Sequence, residues 1–539
     1  LCGKIACCLK SILPHKHSQH GPSLAVGDIN GDGLEDFFVG SSANHAPQFF
    51  VQSTSGRFTP SPLPVDTIYD DMGALLFDAD GDGDLDLYVV SGGTRYQNDL
   101  SKYQDRLYLN DGQGNFSQAA DALPKIVASG ASVSAADYDQ DGDLDLFVGG
   151  RVSPGKYPTI PQSYLLRNDS ENGQCRFTNV ASESLSQIGM VSSALWTYLD
   201  EDEWIDLIVV GEFMPISFIF NKEGQLSDQI QSIPQSSGWW NSLASGDFDR
   251  DGDMDFVAGN LGLNSRYRVS PEEPLCVYAK DYDRNGRIDP IICYYIEGQN
   301  YIAHSRDMLI KQINGMRGRF KTYTEYGQTP FERSFTSEEL ADAQVLRSET
   351  FASTYIENKG NGKFVLKDLP IEAQVAPLYG MLAEDINGDT HLDVLLVGND
   401  YATEIMLGQY DACKGLVLLG NGAGDFEALS VLESQFFVDQ NAKALVRLHH
   451  AEKGPIYLAS RNRERLKAFT LNSAPPYRIY PLPPNAAYAQ IQTKDGQSWR
   501  QVFHYGTSYL SQSSRSVYLP TDAQQIEIVD YQGQKQVLK

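Results

Sequence analysis

The sequence predicts an all-β fold: a β-propeller of seven four-stranded blades, with eight as the alternative count. Three observations carry this. An Asp-rich loop recurs along the 539 residues, short β-branched and aromatic runs bracket each copy, and a tight Gly turn ending in an aromatic residue follows at a distance. Internal repetition of this kind marks an architecture of stacked similar units.

The loop reads Asp-x-Asp/Asn-x-Asp/Asn-Gly-x-x-Asp. It is complete as Asp28-Asn30-Asp32-Gly33-Asp36, as Asp78-Asp80-Asp82-Gly83-Asp86 and as Asp137-Asp139-Asp141-Gly142-Asp145. It returns as Asp247-Asp249-Asp251-Gly252-Asp255 and as Asp281-Asp283-Asn285-Gly286-Asp289. Two copies depart from the pattern. Asp385-Asn387-Asp389-Asp393 carries Thr390 at the Gly position, and Asp200-Asp202-Asp206 has Tyr198 first and Glu203 for Gly.

The spacing fits calcium, which takes six to eight hard oxygen ligands. Oxygen-bearing side chains at positions 1, 3 and 5 of a tight loop converge on one ion, and Gly at position 6 permits the sharp turn. Position 7 would bind through its backbone carbonyl, so its side chain is free to vary: it is Leu34, Asp84, Asp143, Asp253, Arg287 or His391. The Asp at position 9 closes the expected site. Five to seven calcium ions are therefore expected. An EF-hand needs Glu at position 12 and flanking helices. Position 12 here is Val39, Val89, Val148, Ala258, Ile292 or Leu396, and the flanks are strand-like, as in Phe37-Phe38-Val39 and Leu146-Phe147-Val148.

The second recurring element is a strand, a Gly turn and an aromatic, as in Asn110-Asp111-Gly112-Gln113-Gly114-Asn115-Phe116 and Asn358-Lys359-Gly360-Asn361-Gly362-Lys363-Phe364. Asn-Gly and Asp-Gly turns between apolar runs signal hairpins. Each unit is thus strand, Asp loop, strand, long loop, strand, Gly turn, strand. Six units start near residues 24, 74, 133, 194, 243 and 381; a seventh, Ala442–Leu448 and Ile456–Ser460, has His449-His450-Ala451-Glu452 in place of the Asp loop. The Asp281 loop follows Asp247 too soon for a further blade. It is read as part of an insertion in the fifth unit, about residues 261–349, with a helix over Met308–Phe320. The expected domains are an N-terminal tail (1–20), the propeller (21–473) and a small C-terminal β domain (474–539).

A net charge of −27 argues against a nucleic-acid partner, which needs a basic face. No apolar run is long enough to span a membrane. Seven cysteines are too few for a disulfide framework. Cys276 and Cys293 flank one Asp loop and either meet across a hairpin or stay free thiols. Cys2, Cys7 and Cys8 sit in a stretch with no initiator Met, so the chain reads as processed or truncated, and Leu1-Cys2-Gly3 resembles the end of a lipoprotein cleavage site.

The Asp loops, followed by Phe38-Val39-Gly40, Phe147-Val148-Gly149-Gly150 and Val397-Gly398, resemble FG-GAP/VCBS repeats, the units of integrin-α-type propellers. Gly506-Thr507-Ser508-Tyr509-Leu510-Ser511-Gln512-Ser513-Ser514-Arg515 resembles the ASPIC/UnbV domain that follows such propellers in the cartilage-acidic-protein type of family. The chain is similar in style to propeller proteins that Bacteroidetes-like bacteria place in the cell envelope. The resemblance implies calcium binding and surface interaction and no defined reaction.

Chain reversal at each antiparallel strand puts Asp loops and Gly turns on one face and the long loops on the other. Function concentrates in such loops. The ligand-face candidates are Tyr96, Arg151, Glu212, Trp239, Trp240, Asn260, Asn399 and Tyr401, an aromatic and polar set suited to a sugar or peptide. His15, His17 and His20 are spaced for a transition metal, but they fall in what reads as a loose tail. No Gly-x-Ser-x-Gly, P-loop or His-Glu-x-x-His occurs, and Ser511, Ser513, Ser514 and Arg515 read as a turn or edge of the tail domain. The leading expectation is a non-enzymatic, extracytoplasmic module, secreted or on the outer membrane or cell surface, that binds a glycan or protein. A polysaccharide lyase or hydrolase and an envelope-complex subunit are the alternatives.

Overall fold

The computed structural model describes residues 12–65, 67–97, 99–360, 362–404, 407–472, 477–493, 498–520 and 523–538. Cys2, Cys7, Cys8 and the Leu1-Cys2-Gly3 segment lie outside these. The chain is all-β, with 43% of residues in strands and 8% in helices.

Among the described residues, seven antiparallel sheets follow one plan. Sheet 1 runs Leu24–Gly27, Asp36–Val39, Gln48–Gln52, Phe58–Pro62, and sheet 2 runs Asp71–Phe77, Asp86–Ser91, Arg106–Asn110, Phe116–Gln118. Sheet 3 runs Ser129–Ala136, Asp145–Val152, Tyr164–Asn168, Phe177–Asn179. Sheet 4 begins Met190–Thr197, Asp206–Met214, Ser217–Ile219, and sheet 5 begins Ser242–Gly246, Asp255–Gly259 before continuing at Thr354–Asn358, Phe364–Asp368. Sheet 6 runs Leu378–Glu384, Asp393–Gly398, Leu416–Gly420, Phe426–Leu429; sheet 7 has three strands, Ala442–His450, Gly454–Arg461, Lys467–Thr470. The first strand of each sheet abuts that of the next, and the first strand of sheet 7 abuts that of sheet 1.

These first strands are covered on both faces, which explains their composition. Asp71–Phe77, Ser129–Ala136 and Met190–Thr197 are buried at every position. A strand without a solvent side needs no polar alternation. Where sheets approach most closely the residues are small: Ser129–Ala136 reads SGASVSAA.

One side chain repeats between sheets. Asn110, Asn168 and Asn358 end third strands, and Asn221 lies two residues past the end of one. Each donates its Nδ2 into the Asp loop of the preceding sheet, to the carbonyls of Ile29 (2.8 Å), Ala79 (3.1 Å), Tyr138 (2.7 Å) and Leu199 (3.4 Å). Asn221 also donates to the Ile205 carbonyl. Asn221→Ala leaves both carbonyls unpaired in a buried place, and chemical denaturation should show a loss of about 1–3 kcal/mol. A loss under about 0.5 kcal/mol would mean that the link between sheets 3 and 4 does not depend on it.

Between Gly259 and Thr354 the chain builds a separate sheet in the order Gln299–Ile302, Asp289–Ile296, Leu275–Lys280, Gln344–Ser348, covered by short helices. Its core includes Ile291, Leu309, Phe320 and Phe331. Cys276 and Cys293 are cross-strand partners joined by a disulfide. The single helix expected over Met308–Phe320 is instead two, Arg306–Gln312 and Met316–Arg319. Ile313 turns extended after the first, so that its side chain enters the core, and the chain restarts at Gly315.

The C-terminal strands form one sheet, Ser498–Val502, Ala486–Thr493, Ala523–Asp530, Lys535–Leu538, and a pair, Tyr477–Pro481 with Ser516–Pro520. The segment between Val502 and Ser516 leaves this sheet and runs along the inner strands of the ring. Ala135 donates its N–H to the Tyr505 carbonyl (3.1 Å) and Leu24 to the Leu510 carbonyl (3.0 Å). The N–H groups of Met381, Leu445 and Arg447 donate to the hydroxyls of Ser508, Ser511 and Ser513, each at 3.1 Å. The Gln512 amide brackets Leu76, accepting its N–H at 2.6 Å and donating to its carbonyl at 2.8 Å. The Ser245 hydroxyl meets His504 Nε2 at 2.6 Å. Inner strands of six sheets are thus tied to one peptide. This corrects the reading of Ser511, Ser513 and Ser514 as an edge or turn of the tail domain. Innermost strands expose unpaired backbone groups to the axis, and a Ser- and Gln-rich segment satisfies them.

Among the described residues, those from Ile12 to His20 are packed against the rest of the chain. Ile12, His15, His17 and His20 are buried. Lys16 donates its N–H to the Ala402 carbonyl (2.9 Å) and Glu404 to the Pro14 carbonyl (2.8 Å), so the segment is strapped to the loop after sheet 6's second strand.

Candidate metal centres in the Asp-rich loops

Each Asp loop joins the first and second strands of its sheet and is held by its own carboxylates. Position 1 receives backbone N–H groups: Gly31 and Gly33 on Asp28 (both 2.8 Å), Gly81 and Gly83 on Asp78 (2.8 and 3.0 Å), Gly286 on Asp281 (2.7 Å). Position 5 receives the N–H of position 7, as in Leu34 on Asp32 and Asp84 on Asp82 (both 2.9 Å). Position 6 has positive φ, 94° at Gly83 and 106° at Gly142, which suits Gly. Thr390 takes φ 77° despite its branched side chain; Arg250 donates to its hydroxyl at 2.6 Å and also to its carbonyl.

Position 9 does more than close the loop. Asp86 accepts the N–H of Ala79 in its loop and of Asn110 in the third strand, both at 2.8 Å. Asp36, Asp206, Asp255 and Asp393 make the same pair of bonds, to Ile29 and Gln52, Leu199 and Asn221, Phe248 and Asn358, Ile386 and Gly420. The carboxylate therefore fastens loop to sheet. In the insertion, Asp289 accepts from Tyr282 N–H and from Gln312 Nε2.

Burial leaves these carboxylates short of positive charge. It pushes Asp36, Asp86, Asp137, Asp247, Asp255 and Asp393 up to about 7 and Asp206 to about 8. Neighbouring aspartates of the same loops add to the rise. Several oxygens are buried with no hydrogen-bond partner: Oδ1 of Asp80, Asp137, Asp139 and Asp143, Oδ2 of Asp145, and both oxygens of Asp247. Buried charges without partners are costly unless paired or metal-bound.

Four loops bring three carboxylates within 4.8 Å of one another: Asp78, Asp80 and Asp86; Asp137, Asp139 and Asp145; Asp247, Asp249 and Asp251; Asp281, Asp283 and Asp289. An all-oxygen set on a tight loop fits calcium and not a thiolate- or imidazole-seeking ion. In the Asp28 and Asp385 loops an amide replaces the second carboxylate, and Asn30 and Asn387 donate to Asp32 and Asp389 at 3.2 and 2.9 Å. In the Asp200 loop, Tyr198 is buried against Tyr488 of the C-terminal sheet (centroids 5.3 Å apart), with Arg500 above both rings. That loop docks the C-terminal strands where its neighbours gather carboxylates.

The structure divides the ligand-face candidates. Arg151, Glu212 and Trp239 come together on the axis with Tyr157 and the three histidines. Arg151 Nη2 and the Tyr157 hydroxyl both donate to Glu212 at 2.5 Å. Burial would raise Glu212, but its contacts with His15 and Arg151 hold it well below the usual carboxylate range. Trp240 is not on a face: it is fully buried, and its indole N–H is bonded to the Ser236 carbonyl (2.9 Å). Asn260 and Asn399 are likewise buried and spent on backbone, Asn260 on Trp239, Leu261, Thr350 and Ala352, Asn399 on Cys413 and Gln440. An Asn after a strand reads as an exposed polar group in sequence but here closes a loop. Tyr96 is half-buried and donates its hydroxyl to the Ile68 carbonyl (3.1 Å); Tyr401 is half-buried, apart from the axial group. The histidines were missed as partners of this group; the signal available was the spacing of His15, His17 and His20.

A cavity lies on the insertion. It has a volume of about 630 Å³ and is lined by Tyr294, Tyr301 and Tyr326 with Glu297, Gln299 and Thr329.

Three segments, residues 28–89, 93–148 and 198–258, match the family profile of the FG-GAP-like repeat. No curated protein matches the chain. Among solved structures, BBS1N in complex with ARL6DN is similar at 10% identity and TM-score 0.38, covering 86% of this chain and 99% of that one. Saccharomyces cerevisiae Sqt1 is similar at 8% identity and TM-score 0.35, covering 95% of this chain and 100% of that one. Among the described residues no helix is long and apolar enough to cross a membrane.

Proposed function

We propose that this chain is a calcium-loaded, seven-bladed β-propeller that works outside the cytoplasm as a non-enzymatic binding module for a glycan or protein at the cell surface. The observation that carries the calcium reading is the set of buried, unpartnered carboxylate oxygens in the loops beginning at Asp78, Asp137 and Asp247. The FG-GAP-like repeats and the abutting first strands support the propeller. Extracellular calcium modules bind with Kd of about 10⁻⁴–10⁻³ M. Such sites fill outside the cell and stay empty at cytosolic calcium, which supports the location. The disulfide of Cys276 and Cys293 agrees with an oxidising compartment.

The partner's place is the tyrosine-lined cavity of the insertion. Tyrosine rings beside amide and hydroxyl groups offer stacking and hydrogen bonds to a sugar or a peptide, and the cavity is of ligand size. Tyr301, half-buried like Tyr294 and Tyr326, bonds its hydroxyl to Gln299 (2.9 Å). A glycan array and an envelope-protein pull-down, each run with calcium and with EGTA, test the reading. Tyr301→Ala should cut capture at least about tenfold, the scale of losing one aromatic contact, without moving the calcium-dependent melt. Equal capture by the variant would remove the cavity from the reading, and no calcium binding by the wild type would remove its foundation.

A further inference from the structure

His15, His17 and His20 belong to no Asp loop, yet they are all buried and stand ring against ring. Their centroids lie 4.8 Å (His15–His17), 5.4 Å (His17–His20) and 5.9 Å (His15–His20) apart. One ring nitrogen of each lies within 4.8 Å of the others. Both nitrogens of His17 and Nε2 of His20 are buried without a hydrogen-bond partner. An imidazole hidden from water with no partner for either nitrogen is costly in an otherwise satisfied structure.

We propose that His15, His17 and His20 form a binding site for one divalent transition-metal ion of the zinc and copper class. Three imidazoles suit such an ion and not calcium, which prefers oxygen. The surroundings resemble the outer partners that orient metal-bound histidines. Tyr509, on the axial peptide, places its hydroxyl 3.1 Å from His20 Nδ1, leaving Nε2 for the ion. Glu212 Oε2 lies 3.2 Å from His15 Nε2 and is held by Arg151 and Tyr157. The site is distant from the calcium loops. Asp206 and Glu212 sit toward opposite ends of one strand, and six residues of strand span about 20 Å.

The ion would join the N-terminal strap to the axial peptide through His20 and Tyr509, and to sheet 4 through His15 and Glu212. The test is a zinc titration of the full chain in saturating calcium, which keeps the Asp loops occupied, followed by the ligand-field spectrum of the Co²⁺-substituted protein. One equivalent of zinc and a tetrahedral Co²⁺ spectrum are expected. His17→Gln should weaken zinc at least about 100-fold. Tyr509→Phe, which keeps all three ligands, should weaken it about tenfold, as outer-shell losses do. If His17→Gln fails to fold, Tyr509→Phe and the Co²⁺ spectrum decide. No stoichiometric zinc in the wild type, or equal affinity in the variant that decides, overturns the site.

Discussion

Calcium removal is expected to reverse the direction in which stability depends on pH. In the metal-free protein, burial raises Asp36, Asp86, Asp137, Asp247, Asp255 and Asp393 to about 7 and Asp206 to about 8. Unfolded, these groups ionise near 3.8. Between those values the folded state holds more protons, so stability falls as pH rises. The favourable contribution is complete below about pH 4 and is lost by about pH 8. A rise of three units corresponds to about 4 kcal/mol for one group, an upper bound because the carboxylates of a loop titrate as a coupled set. Calcium in the loops that gather carboxylates holds them ionised and lowers their pKa, so in the loaded protein their contribution to stability is lost as pH falls. Melts between pH 5 and 8 should show Tm falling with pH in excess EGTA and holding or rising in millimolar calcium. The gap is expected to be widest at pH 8, and loading at pH 7 should release protons. Parallel curves in the two conditions would sink the structural-calcium reading.

The second large effect is expected at Asp71 and Arg106. Arg106 Nη2 donates to Asp71 Oδ1 at 2.7 Å, and both side chains are 2% exposed. Asp71 also accepts the N–H and hydroxyl of Ser41 (2.8 and 3.2 Å), joining sheet 2 to the loop between the second and third strands of sheet 1. Arg106 lies over the Tyr69 ring at 4.2 Å and donates to the Ser91 hydroxyl. Asp71→Ala strands a guanidinium in a dry place, which costs about 3–5 kcal/mol, whereas replacing both partners by apolar residues of similar volume is often close to neutral. Urea denaturation of Asp71→Ala and of Asp71→Leu with Arg106→Met should therefore rank the double variant above the single one. The opposite ranking would show that the pair matters for its Ser41 contacts and not for its charge.

Much of the fold was legible because its signals are local. The first strands announce themselves by composition, and the Gly turns by dipeptides such as Asp111-Gly112. The disulfide was left open between two readings, since spacing alone does not say whether Cys276 and Cys293 face each other; cross-strand register settles it. Of the candidate face, Arg151, Glu212 and Trp239 come together, but they are buried, as are Trp240, Asn260 and Asn399. Side-chain type predicts exposure poorly for an Asn or Trp beside a strand end, because its partners there are backbone groups that leave no mark in sequence.

By itself the sequence determined the repeat: strands of a given length, hairpins at given turns, and carboxylates spaced to meet within nine residues of chain. These depend on short-range sterics and on oxygen atoms brought together by one tight turn. Only the tertiary structure decided what the repeats enclose. Leu24 meets Leu510 because the Ser-rich peptide is drawn to the exposed edges of the inner strands, and His20 meets Tyr509 across 489 residues of sequence because the N-terminal strap, tied to the loop at Ala402, reaches that peptide. The same packing hides three histidines that spacing alone left in a tail. It also turns Tyr198 from a defective metal ligand into a contact for the C-terminal strands. Such pairings follow from which surfaces remain unsatisfied once the sheets stand side by side, and no local pattern records that.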